Sequence, residues 1–127
     1  MNNNLKRGDI VWLKENVKFD LGENINNSNR PYIIISNDKN NSNEKSHIVN
    51  IACLTKQEKK FYYPMHVFLD KNKYNLQYNS LICCEQILTI NKEYINRKIS
   101  SLDEKDLKLL NKAIYIQLIN EDLKLFV

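Results

Sequence analysis

The stretch NSNRPYIIISND, Asn27 to Asp38, decides how the rest of the chain is read. Pro31 to Ser36, PYIIIS, predicts a strand, because isoleucine and tyrosine suit a pleated, packed surface. Arg30 stands directly before Pro31. A strand alone has no need of a guanidinium at its start. Proline fixes its own φ and pushes the preceding residue towards an extended conformation, so Arg30 is restrained at the strand's lip. A guanidinium held there can reach a phosphate in bidentate fashion. The same pattern also suits a surface arginine in an ion pair where a strand begins.

Outward from this stretch the chain reads as a series of strands. Upstream, RGDIVWLK, Arg7 to Lys14, alternates Ile10 and Trp12 with Val11 and Leu13, so both faces are apolar and a short strand covered on both sides is expected. The polar segment Glu15 to Asn29 is longer than a simple connection needs, and loops of that length are often functional. Downstream, Ser36 to Lys45 reads as a turn-rich loop and His47 to Thr55 as a third strand. Lys56 to Lys60 is a charged loop. Tyr62 to Asp70 reads as a fourth strand, with Pro64 marking an edge or a strand start. After a turn over Lys71 to Asn79, SLICCEQI and LTINKEYI read as two strands or one bent strand.

The end of the chain changes period. Ser101 and Glu104 have capping-box spacing, and Leu107, Leu110, Ile114 and Leu118 recur at helical intervals beside Ala113. The tail, Asn120 to Val127, extends this helix or folds back on the core. No helices alternate with the strands, which argues against a parallel sheet. The expected fold is mainly β, a partly open antiparallel barrel closed by a C-terminal helix, in a single domain over residues 1–127.

Composition narrows the function classes. A chain of 127 residues with 43% hydrophobic and 27% charged residues is globular rather than disordered. No apolar run approaches the roughly 20 residues of a membrane helix, and MNNNLKRGD is no signal peptide, so a cytoplasmic protein is expected. Two glycines are too few for glycine-rich phosphate loops. The three cysteines, Cys53, Cys83 and Cys84, argue against a disulfide framework by their odd count. Without a CxxC, and with His47 and His66 isolated in sequence, no metal site or cofactor is expected. Cys83 and Cys84 read as small apolar residues on opposite faces of a strand. A net charge of +4 fits an RNA partner without requiring one.

Taken in order, RGDIVW, RPYIIISND, the strand ending ACLT, PMHVFL, SLICCEQILTI and KISSLDEKDLKLLNKAIYIQL resemble the MazF/PemK toxins, ribonucleases of bacterial type II toxin–antitoxin systems. The resemblance spans nearly the whole chain. It implies an SH3-like barrel assembled as a homodimer, which cleaves single-stranded RNA at short sequences without a metal ion. It also implies a cognate antitoxin that blocks the dimer. By the same resemblance Arg30, before the proline of the RP motif, and Thr55, closing the third strand, are the catalytic pair.

Two departures stand out. LGENINNSN replaces the family's GSEQ-like run, leaving Glu23 as the nearest counterpart of a family glutamate. EQILTIN replaces EQIRTID, so Leu88 and Asn91 stand where an arginine and an aspartate are common.

The chemistry then divides among named residues. Attack by a 2′-hydroxyl needs in-line geometry, removal of a proton and stabilisation of an anionic phosphorus centre. Arg30 suits the last task and cannot act as the base. Thr55 suits phosphate alignment, though threonine is also an ordinary strand former. Glu23 is the first candidate for the base and Glu85 the second. His66 invites an acid–base reading, against which stands the plainer one of a packed strand histidine. KQEKKFYY, Lys56 to Tyr63, interleaves cations and rings, and RNA contact is expected from Lys56, Lys59, Lys60 or Tyr62. Trp12 reads as core or dimer interface. The expected activity is endoribonuclease cleavage leaving a 2′,3′-cyclic phosphate and a 5′-hydroxyl. The alternatives are a non-catalytic toxin of the same fold that inhibits a protein such as DNA gyrase, and a plain RNA-binding module.

Overall fold

The structure, a computed structural model, describes residues 4–15, 17, 29–57 and 63–119. Six strands form one sheet: β1 (Asp9–Leu13), β2 (Tyr32–Ile34), β3 (Ile48–Lys56), β4 (His66–Leu69), β5 (Ser80–Asn91) and β6 (Ile95–Ser101). Their order is β4-β5-β3-β2-β1-β6, every pairing is antiparallel, and the sheet stays open between β4 and β6. Among the described residues three helices punctuate it: α1 (Asp38–Asn41), α2 (Lys71–Tyr74) and α3 (Glu104–Leu118).

The two-sided apolar pattern of the first strand is realised. Ile10 joins Ile33, Leu54, Val67, Ile82, Leu110 and Ala113 in one core, under α3. Val11 and Leu13 join Tyr32, Ile34, Val49, Ile51 and Cys53 in a second core on the other face. Cys84 belongs to the first core and Cys83 to the second, the opposite placement expected of neighbours on a strand. All three cysteines are free and buried.

Several boundaries differ from the sequence reading. Residues 80–91 are one strand, and a single 3-10 turn at Lys92–Tyr94 separates it from β6. The loop after β2 contains α1, capped by Asn37, whose side chain accepts from the Asn40 N–H at 3.0 Å. The turn after β4 contains α2, capped by Asp70. β4 starts at His66, and Pro64 lies in the turn before this edge strand. The cap of α3 is Asp103, which accepts from the Asp106 N–H at 2.8 Å, and not Ser101. Ser101 is committed to β6, where its hydroxyl donates to buried Asp9 at 2.7 Å. Leu118, expected on the apolar stripe, is 59% exposed at the end of α3.

Buried polar groups tie the short helices to the sheet. Lys92, 3% exposed, donates to the carbonyls of Asn43 (3.1 Å) and Asn40 (3.4 Å), which anchors α1. The Tyr74 hydroxyl donates to Asp106, and Lys73 reaches Asp103 at 2.6 Å and Asp106 at 3.2 Å, so α2 is clamped to the start of α3. Burial first, and then the bond to Asp106, pushes the Tyr74 phenol from 10.0 up to about 12.

Two predictions follow from this packing. Gly8 has φ +91, and a Cβ there would lie 2.7 Å from Leu107 Cδ2, so Gly8→Ala is expected to lose about 1–3 kcal/mol in urea denaturation. Tyr74 stays neutral in the folded chain while an unfolded tyrosine ionises near 10. Stability should therefore fall as pH rises from about 10 through 12, and Tyr74→Phe should flatten that decline in thermal melts.

Candidate active site

The pairing of β2 with β3 brings residues 30 and 55 together. Tyr32 pairs with Cys53, Ile33 with Ala52 and Ile34 with Ile51. Continued towards the start of β2, the same register sets Pro31 opposite Leu54 and Arg30 opposite Thr55. The Leu54 N–H donates to the Pro31 carbonyl at 3.0 Å, so the pairing runs through the proline, which has no N–H to give in return. Strand alternation then puts Arg30 and Thr55 on the face that carries Tyr32 and Cys53.

A cavity of about 370 Å³ opens at this lip, and Arg30, Thr55 and Lys56 all line it. Trp12 and Leu54 contribute apolar wall, and the turn over Asn75, Gln77 and Tyr78 forms the opposite side. Asn75 ends α2 with φ 56, a left-handed conformation that asparagine tolerates. The turn is fixed to the strand ends: Asn79 accepts from Lys71 N–H on its side chain and from Gln57 N–H on its carbonyl, both at 2.9 Å. At the rim, Lys56 Nζ lies 4.6 Å from the centre of the Tyr78 ring. Thr55 lines the cavity, and among the described residues no hydrogen bond engages its hydroxyl.

Behind the lip, a row of polar and sulfur groups crosses the sheet. Cys53 pairs with both Tyr32 and Cys83, and Cys83 pairs with His66 on β4. The bond from Cys83 and the Arg30 guanidinium draw the Cys53 thiol below its ordinary range, against the opposing effect of burial. The bond to Cys53, and then burial, raises Cys83. Burial pushes the Tyr32 phenol up to about 12. At the far end, His66 Nε2 lies 2.9 Å from Glu85 Oε2.

Of the residues expected from sequence, Arg30, Thr55 and Lys56 share one cavity. Glu23, Lys59, Lys60 and Tyr62 lie outside the described residues. Glu85 is hydrogen-bonded to His66 rather than standing alone. Trp12, expected in the core or an interface, is half-buried against the cavity. Asn29, Gln77 and Tyr78 escaped the sequence reading. Asn29 carried the one available signal, its closeness to Arg30, whereas Gln77 and Tyr78 reach the site only through the turn after α2.

Fold and site define a small, open antiparallel sheet protein with an arginine-lined groove at the ends of its central strands. Residues 6–118 match the model of the PemK-like, MazF-like toxins of type II toxin–antitoxin systems, and the chain belongs to that family. It is 39% identical over 89 residues to the endoribonuclease MazF of Staphylococcus saprophyticus, covering 70% of this chain and 72% of that one. It is 32% identical over 117 residues to the endoribonuclease EndoA of Bacillus subtilis, covering 90% and 94%. A solved mycobacterial endoribonuclease in complex with its cognate antitoxin superposes with a TM-score of 0.65 at 18% identity, over 90% of this chain and 94% of that one.

Thr55→Val keeps the branched shape and removes a hydroxyl that has no hydrogen-bond partner among the described residues. Its unfolding free energy should stay within about 0.5 kcal/mol of the parent in denaturant titration. A larger loss would mean that the hydroxyl holds the strand end together.

Proposed function

We propose that this chain is an endoribonuclease toxin that cleaves single-stranded RNA at selected sequences by attack of the substrate's own 2′-hydroxyl, without a metal ion. The observation that carries the reading is the position of Arg30 and Thr55, set across from each other by the strand register and lining one cavity with Lys56. The membership of the chain in a toxin family whose curated relatives are named endoribonucleases supports it.

In this reading the scissile phosphate sits between residues 30 and 55. The Arg30 guanidinium stabilises the charge that grows on the non-bridging oxygens, from a position held before the reaction starts. The Thr55 hydroxyl donates to a phosphate oxygen and keeps the 2′-oxygen, phosphorus and 5′-oxygen in line. Glu23 is the carboxylate assigned to take the 2′-hydroxyl proton, with the 5′-oxygen leaving as a hydroxyl. The products are then a 2′,3′-cyclic phosphate and a 5′-hydroxyl end. Lys56 holds a flanking phosphate, Lys59 and Lys60 extend the cationic track, and Tyr62 offers a face for a base. Tyr78, 45% exposed beside Lys56, offers a second ring.

The functional unit proposed is a homodimer, neutralised in the cytoplasm by a cognate antitoxin. The mycobacterial relative solved with its antitoxin supports that partnership. Among the described residues no helix is long and apolar enough to cross a membrane.

The test is cleavage of a synthetic single-stranded RNA in excess chelator. The parent chain should cut and leave 5′-hydroxyl ends. Arg30→Ala should lose about 100- to 1,000-fold in rate while its melting curve stays cooperative. Undiminished cutting by Arg30→Ala would remove Arg30 from the chemistry, and cutting that stops in chelator would remove the metal-free mechanism.

A further inference from the structure

We propose that His66, Cys83 and Glu85 form a binding site for a borderline transition-metal dication, zinc being the natural occupant. The site is separate from the cleavage chemistry proposed above and does not depend on it. It joins one imidazole, one thiol and one carboxylate from two adjacent strands.

Geometry gives the first argument. His66 Nε2 lies 2.9 and 3.1 Å from the two Glu85 carboxylate oxygens. One donor atom from each of the three side chains lies within 4.8 Å of the other two. Zinc bonds of about 2.0–2.3 Å in a tetrahedral arrangement hold their donors roughly 3.5 Å apart, so the cluster needs small side-chain rotations to close on an ion.

The backbone has already set the positions. His66 and Cys83 are direct cross-strand partners, and Glu85 follows Cys83 by two residues on β5. Between Ala52 and Cys53 the β3–β5 pairing jumps from Ile87 to Cys83, so residues 84–86 form a bulge. Bulges re-aim side chains in this way. The His66 ring is held edge-on to Tyr63 at a centroid distance of 5.4 Å, and its side chain is 10% exposed, while Glu85 at 33% leaves a way in for an ion.

The donor set selects the class of ion. Nitrogen, sulfur and one carboxylate suit zinc and its neighbours, and do not suit magnesium or calcium, which take oxygen ligands. Three protein ligands leave a fourth position for water or for Cys53, the cross-strand partner of Cys83 on β3. Binding must also settle two protons. The Tyr63 N–H points at His66 Nδ1 from 3.4 Å, which leaves the ring proton on Nε2, facing Glu85, in the neutral empty site. An ion on Nε2 moves that proton to Nδ1 at the cost of one long hydrogen bond, and the Cys83 thiol proton is released to solvent.

The test uses the full chain, reduced and freed of metal, and titrated with cobalt(II) as a spectroscopic stand-in for zinc. A sulfur-to-cobalt charge-transfer band that saturates at one ion per chain, and that added zinc removes, is the expected result. Cys83→Ser should abolish the band, while Cys84→Ser, on the opposite face of the sheet, should retain it. Should Cys83→Ser fail to fold, His66→Asn must weaken cobalt binding by at least about tenfold. Zinc should also raise the melting temperature of the parent, with magnesium having no effect. No band in the parent chain, or a band that persists in both Cys83→Ser and His66→Asn, would overturn the site. RNA cleavage enters none of these readouts, so they fail or succeed apart from the proposed activity.

Discussion

The register between β2 and β3 is the constraint on which the rest depends. With Tyr32 opposite Cys53, residue 30 faces residue 55 and both point to one side of the sheet. A slip of one residue would turn Arg30 to the opposite face from Thr55 and, in the same movement, exchange the two apolar cores. The cores therefore protect the site. Ile33 and Ile34 are fully buried on opposite faces, and neither can be exchanged for the other without exposing or crowding a side chain. Pro31 adds a local lock. It gives up an N–H but keeps its carbonyl, which accepts from Leu54, so the last backbone bond before the site comes from the strand that carries Thr55.

The two faces of the sheet then serve different ends. The face under α3 carries a wholly apolar cluster of buried side chains. The other face is apolar in its middle but turns polar along one line, from Arg30 through Cys53 and Cys83 to His66 and Glu85. The two buried thiols on that line, Cys53 and Cys83, perturb each other in opposite directions. The cation beside Cys53 and the carboxylate beside His66 stand at its two ends, where exposure is greatest, which is the arrangement desolvation favours.

Much of this was legible in the sequence, and the failures have common causes. The hydrophobic alternation of residues 10–13 and the isoleucine run after Pro31 announced a sheet buried on both sides, since every inward position must be apolar whatever the topology. The meeting of Arg30 with Thr55 was suggested by family resemblance and matches the register found. What escaped was set by tertiary contact rather than by period. β6 reads INRKISS, exposed along most of its length, and is held as a strand by pairing with β1 instead of by its own pattern. Ser101 looked like a helix cap until Asp9 claimed its hydroxyl across the ladder. His66 stood alone in sequence and acquires Cys83 and Glu85 as neighbours only once β4 docks on β5. Tyr78 reaches the cavity through a turn whose path depends on one left-handed asparagine.

The stretch EQILTIN, residues 85–91, is where the resemblance puts an arginine and an aspartate at positions 88 and 91. Were Arg and Asp at positions 88 and 91 a charge pair, losing either alone would strand its partner, and losing both strands nothing. Leu88 packs against the second core. Asn91 pairs with Ile48 at the end of the β3–β5 ladder, and its side chain accepts from Glu93 N–H at 2.8 Å, which starts the turn into β6. An aspartate would make the same cap, so this role needs the side-chain oxygen and not its charge. Both replacements lie along β5 beyond the bulge at residues 84–86, and the part of β3 that carries Cys53 and Thr55 pairs with β5 on the other side of that bulge. The bulge thus separates the stretch of strand that carries Leu88 and Asn91 from the stretch that pairs with Cys53 and Thr55.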